Sequence, residues 1–242
     1  MPAWITAMGT TMSTDGLYRL LAWTSPVFPT GAFSYSHGLE AAAADGAVHD
    51  RATLERWITA ILAKGSGRVD ADILRDAWRA VAARDGAALA EANRRGIAYR
   101  ATAELALESS QQGAAFVSAR YAAWADPRPS AADAADPTRN AGEGICHAAA
   151  FGQAAAEAGI SLPDALTGYL QAFAANLMSA GLRLGLVGQS DGQRILAVLE
   201  PVIAGAVDGA LIRSTEDFGA VTFALDLASM AHETQYSRLF RS

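Results

Sequence analysis

The sequence predicts an all-α fold: a single-domain helical bundle with a flexible leader at one end and an interaction-prone tail at the other. Three observations carry that prediction. Apolar residues recur at threes and fours from Leu54 to Val187, the spacing of one helix face. No alternating run is long enough for a strand. The interruptions fall at glycine and proline, as at Gly65–Gly67, the stretch 126–144 and Gly188. With 51% hydrophobic and 18% charged residues in 242, the chain has ample apolar surface to bury, which excludes a disordered protein.

The elements follow in order. Residues 1–16 carry no basic side chain and no sustained apolar run, so they are a poor secretory signal and read as a flexible leader. Next comes "WTSPVFPTGAFSYSHGLE", residues 23–40, unlike the alanine-rich text around it. A helix is predicted to open there with Ser36 as its N-cap. Two readings of the stretch stand side by side. In one it is a rigid turn, with Pro26 and Pro29 fixing φ, Gly31 permitting positive φ, and Phe28 and Phe33 packed inward. In the other it is a preformed recognition loop.

Leu54, Trp57, Ile58, Ile61 and Leu62 form one helix face, and Ile73, Leu74, Ala77, Trp78 and Val81 repeat it after the glycine break. Residues 97–125 read as one longer helix, with Leu105, Gln112 and Phe116 along one side. The stretch 126–144 is a proline-bearing, solvent-facing loop inside a bundle spanning 17–231. The clearest helix is 162–187, stepping through Leu166, Tyr169, Leu170, Phe173, Leu177, Ala180, Leu184 and Val187. Ser161 and Asp164 bracket Pro163 at its start. Gly181 and Gly185 suggest a closely crossing neighbour. Gly188 is its expected C-cap, Ser190 and Gln193 a capping box for the next helix, and Pro201 a kink or division. The stretch 166–187 is the most membrane-like. Gln171, Asn176, Ser179 and Arg183 interrupt it, so no transmembrane helix is read.

The chemistry is mostly a set of exclusions. There is no GxxxxGK[ST] phosphate loop, HExxH, GxGxxG after a strand, or GxSxG elbow. A net charge of −6 argues against a nucleic-acid binder, and the single Cys146 excludes an internal disulfide or cysteine zinc cluster. Cys146 and His147 point about 100° apart on a helix and read as a packed thiol beside a surface imidazole. His37 and Glu40, at i,i+3, could share a metal, but the simpler reading is a polar helix start. No catalytic, metal or cofactor residue is expected. A reducing cytoplasm fits. The end of the chain is different: Tyr236, Leu239 and Phe240 interleave with Arg238 and Arg241, the residue types of interface hot spots. The tail is expected to order on a partner, the alternative being that it folds back onto its own bundle.

Pro29, Gly31, Phe33, Ser36, Gly38, Leu39 and Glu40 spell PxGxFxxSxGLE. With "NLMSAGLRLGLVGQSDGQRIL" and the terminal "HETQYSRLFRS", the chain from about Leu17 to Ser242 resembles the urease accessory protein F family, all-helical chaperones of nickel-urease maturation. One departure is Ala231, where the family often has arginine. The resemblance implies a non-enzymatic, cytoplasmic scaffold. It would bind the D-type (H-type) urease accessory protein, recruit the nickel-carrying G-type GTPase and influence its GTP hydrolysis. It would dimerise and help deliver nickel and a lysine carbamate to apo-urease. Partner-facing residues would be Pro29, Gly31, Phe33, Ser36, His37, Gly38 and Glu40, the last an exposed first-turn carboxylate, with His232, Glu233, Tyr236, Arg238, Leu239, Phe240 and Arg241 of a 232–242 tail. Two other readings stay open: an unrelated helical adaptor, or an enzyme whose site gathers His37, Glu40 and Arg183 only in three dimensions.

Overall fold

The computed structural model describes residues 13–124 and 144–242, so most of the predicted 126–144 loop lies outside the described residues. Within them every regular element is helical, and no strand is present. Helix α1 spans Thr14–Trp23, with the Ser13 hydroxyl accepting from the Gly16 amide. The last residues of the segment expected as a leader are therefore already helical. The short α2, Leu39–Ala44, follows the proline-rich turn. Helices α3 (Arg51–Lys64) and α4 (Ser66–Ala82) meet at Gly65 and bury Leu54, Ile58, Ile61, Leu62, Ile73, Leu74 and Ala77 completely, on the predicted faces.

The predicted 97–125 helix is realised as α6 (Ala103–Trp124), with a break at 99–102 that leaves Ile97 and Ala98 as the end of α5 (Gly86–Ala98). Two side chains account for the break. The Arg100 guanidinium turns inward to Asp70 at 2.7 Å, and the Thr102 hydroxyl accepts from the Leu105 amide at the start of α6. Helix α7, His147–Glu157, lies against α4 so closely that a β-carbon at Gly152 would run into the Leu74 carbonyl. The alanines of α7 permit that approach, and Ala148, Ala149, Ala154 and Ala155 are fully buried.

Helix α8, Leu162–Arg183, is capped by Ser161 with proline in its first turn, as the sequence predicts. Gly181 is a crossing point, where Leu54 of α3 fills the space of a missing side chain. Gly185 is not: it adopts φ 73° and ends the helix, with the Leu186 amide bonded to the Gly181 carbonyl at 3.0 Å. Gly188 instead precedes α9, Gln189–Ile212, which contains Ser190.

Helix α9 runs through Pro201 undivided. Pro201 and Ala197 both face outward, so the carbonyl left without its helical partner meets water instead of the core. Among the described residues α9, and not 166–187, is the one helix long and apolar enough by length and composition to cross a membrane. It packs on the bundle through the stripe Ile195, Leu199, Ile203, Val207 and Ala210. Arg75, 1% exposed, donates to the Ala210 and Arg213 carbonyls at 2.6 and 3.0 Å, satisfying the buried end of α9. Helix α10, Phe223–Glu233, completes the bundle and leads into the tail. One contiguous core joins residues from α1 to α10 and includes Phe240 of the tail.

Candidate functional site

The proline-rich turn and the C-terminal tail, some 200 residues apart in the chain, meet in space. Backbone geometry sets the turn. Gly31 has φ 76° and opens a single turn of 3-10 helix, while Gly38, φ 77°, directly precedes α2. Helix α2 therefore begins at Leu39 with Gly38, not Ser36, at the N-cap position, although the Ser36 hydroxyl accepts from the first-turn Glu40 amide at 3.3 Å. The Ser36 amide and hydroxyl both donate to the Ser242 carbonyl oxygen, the amide at 2.7 Å. Four residues later Glu40 enters α2 pointing at the tail.

Glu40 is 8% exposed, which overturns its expectation as an exposed first-turn carboxylate. One of its oxygens accepts from the Leu239 amide at 2.7 Å, the other from the Phe240 amide at 2.9 Å and from His232 Nε2 at 3.1 Å. Such charge-assisted bonds are about twice as strong as neutral ones. His232, fully buried, places its Nδ1 2.6 Å from Glu104 of α6, and the other Glu104 oxygen accepts from Arg238 at 2.6 Å. His232 thus bridges the two carboxylates, one ring nitrogen against each. One turn further along α6, Glu108 accepts from Ser242 Oγ at 2.8 Å and lies 3.2 Å from His37 Nδ1. The tail is thus clamped along α6 and α2. The Arg241 amide adds a bond to the Ser34 carbonyl at 2.8 Å, and the Arg183 guanidinium lies 4.3 Å over the Phe240 ring. The tail folds onto its own bundle, the alternative the sequence left standing.

Each predicted motif divides in two. Of the turn, Pro29 and Phe33 face solvent and Gly31 is half-buried, whereas Ser36, His37, Gly38 and Glu40 are buried. Phe33, at 67% exposure, does not pack inward; Phe28 does, 5.4 Å from Phe116. Of the tail, His232 and Phe240 are buried, and Glu233, Tyr236, Arg238, Leu239 and Arg241 are exposed. Glu233 is occupied too, accepting the Ala103 amide at 2.9 Å at the start of α6. Tyr236 and Leu239 are exposed in the tail, and α10 carries an outward apolar stripe of its own, Phe223, Leu227 and Met230 at i, i+4 and i+7.

His37, Glu40 and Arg183 do not converge as an enzyme site. His37 bonds Ser66 at 2.5 Å and stacks edge-on to Phe173, Glu40 holds the tail, and Arg183 donates to the Phe33 carbonyl. Among the described residues no group of three or more histidine, cysteine or acidic side chains could hold a metal ion. His147 is not a surface imidazole: its ring lies 5.6 Å from Phe116 and 5.2 Å from Tyr169, and burial pushes its pKa down to about 4. Cys146 beside it is fully buried, and burial pushes its thiol up to about 11, leaving it inert.

Sequence reasoning missed Glu104 and Glu108. The signal was present: Glu108 falls on the same predicted face as Leu105, Gln112 and Phe116, and a carboxylate on an apolar stripe requires a buried partner.

The comparisons with known proteins agree with the resemblance. The UreF family model matches residues 48–200, a span lying between the turn and the tail. The chain is 49% identical over 226 residues to the urease accessory protein UreF of Granulibacter bethesdensis, covering 93% of this chain and 94% of that one. The urease accessory protein UreF of Rhodopseudomonas palustris strain BisB18 is 45% identical over 228 residues, covering 93% and 92%. That of Methylorubrum populi is 44% identical over 224, covering 93% and 98%. A family match over most of the bundle, and relatives aligned over 93% of the chain, place this chain in the urease accessory protein UreF family.

Proposed function

We propose that this chain is a non-enzymatic, cytoplasmic scaffold of urease maturation, presenting its clamped tail and α10 as a docking surface for a D-type accessory protein. A complex of the two would recruit the G-type GTPase, influence its GTP hydrolysis and serve nickel insertion into apo-urease, with this chain dimeric in the assembly. The observation that supports this most is the division of the tail. Its buried half, His232 and Phe240, is fixed by Glu40 and Glu104, while Tyr236 (104% exposed) and Leu239 (63%) stand out in solvent, as do Phe223 (77%) and Leu227 (63%) of α10. Apolar side chains on a pre-ordered backbone lose little entropy on docking.

The test uses residues that do not hold the fold. Tyr236→Ala with Leu239→Ala should leave thermal stability within about 0.5 kcal/mol of the wild type, as expected for exposed positions. It should also abolish co-elution with the D-type partner in size-exclusion chromatography. Each buried anchor is worth about 2 kcal/mol, roughly thirtyfold in affinity. A double variant that still co-elutes moves the interface elsewhere. Repurified protein that hydrolyses GTP or urea above a dead control overturns the scaffold reading.

A further inference from the structure

The front half of the proline-rich turn has a role that the tail clamp does not explain. Residues 23–33 all line one cavity of about 510 Å³, which runs from under the turn to the buried Asp70–Arg100 pair. That volume is in the range of small-molecule sites, which are mostly apolar with a few placed polar groups. The walls are of that kind: Trp23, Phe28, Phe151, Tyr169 and Phe173 supply aromatic rings.

The charges around the cavity decide what it could hold. Asp70 accepts from Arg100 on one oxygen and from the Tyr169 hydroxyl on the other, at 2.7 and 2.9 Å. Glu108 accepts from Gln112 at 3.1 Å and Ser242 at 2.8 Å, and faces His37. Both carboxylates are already paired, and Arg100 already donates through Nε to the Gly96 carbonyl and through one Nη to Asp70, so a charge entering here would lose its hydration against groups that are largely engaged. The unsatisfied groups are neutral. Trp23 Nε1 and Ser109 Oγ are buried without a hydrogen-bond partner, and both residues line the cavity. Orphan polar groups of this kind are rare in folded proteins. His147, whose imidazole contacts are with aromatic rings, lines it as well.

We propose that this cavity binds a small, uncharged, ring-bearing molecule that accepts a hydrogen bond, stacked among the aromatic walls under the proline-rich turn. The site is independent of the docking surface assigned to the tail and does not rest on it. Its occupant differs in kind from a metal ion, because every carboxylate on its walls is already engaged.

Three probes of similar size separate the charge classes at about pH 8: neutral benzimidazole, cationic 1,3-dimethylbenzimidazolium and anionic benzoate. Each is titrated into the full chain labelled with ¹⁵N at its five tryptophan indoles. Benzimidazole is expected to shift the Trp23 indole resonance saturably, with a dissociation constant of roughly millimolar or tighter. Both charged probes should bind at least about tenfold more weakly. Ser109→Leu, which fills the cavity, should remove the benzimidazole response while leaving the circular dichroism spectrum unchanged. The wild-type titrations decide the matter even if that variant misfolds. The proposal is overturned by no saturable shift up to about 10 mM, by equal binding of the charged probes, or by shifts confined to the other indoles.

Discussion

Two buried carboxylates in this bundle do opposite work. Glu40 holds a chain segment: two of its bonds come from the backbone amides of Leu239 and Phe240, and a third from His232 just upstream. Asp70 holds the core together: its partners are Arg100, 4% exposed in the connection between α5 and α6, and Tyr169 of the packed helix α8. When Glu40 is lost, the tail can lift and its amides can reach water. When Asp70 is lost, the guanidinium stays buried without its carboxylate. Similar burial therefore implies different costs, set by whether the partner can leave.

The largest effect should come from breaking the core pair. Asp70→Ala leaves Arg100 uncompensated and should cost about 3–5 kcal/mol in urea denaturation. A loss below about 1 kcal/mol would mean that Arg100 finds water, and that the two sites do not differ as argued.

Next is the acid response of the same region. Burial holds His147 neutral down to about pH 4, whereas an unfolded histidine takes up its proton near 6.5. Between those values the unfolded chain binds more protons, so stability falls as pH falls through the window, by up to about 3 kcal/mol from this group. His147→Gln should flatten that part of the stability profile. An unchanged profile would mean the imidazole is hydrated in the native state.

Glu40→Ala should cost less, about 1–3 kcal/mol, and the loss should be local. Hydrogen exchange at the Leu239 and Phe240 amides should accelerate strongly while amides of α4 and α7 keep their protection. A global loss of protection would make the clamp part of the cooperative core and erase the distinction from Asp70.

The smallest effects sharpen the comparison within the turn. Gly31 has open space where a side chain would stand, so Gly31→Ala meets only the conformational cost of positive φ, about 1 kcal/mol. At Gly38 the added carbon would also come within 3.0 Å of the Ser229 backbone, pushing α10 from the turn. Gly38→Ala should therefore destabilise more in thermal melts. Equal losses would show that α10 yields freely there.

Much of this architecture was legible because helices announce themselves locally. Leu54, Ile58 and Ile61, or Leu166, Leu170 and Leu177, repeat at the period of one face. Ser161 and Pro163 mark a start through bonds that reach only three residues. The misreadings share one cause. Arg100 breaks the predicted 97–125 helix because Asp70, thirty residues earlier, draws it inward. Gly185 takes the helix-ending role expected of Gly188, and Gly188 instead precedes α9, because either spacing suits a helix end. The buried placement of Glu40 could not be foreseen from GLEAAAAD, since its partners Leu239 and Phe240 lie 199 and 200 residues away.

The sequence by itself determined the helical class, the faces that form the core, and, through the turn and tail motifs, the family. Only the tertiary structure decided which charges are buried, that the tail is clamped to its own bundle, and that the proline-rich turn roofs a cavity. The physical reason is range. Backbone periodicity and capping are satisfied within a turn or two of chain, whereas a carboxylate can be buried only where the whole fold brings donors to it.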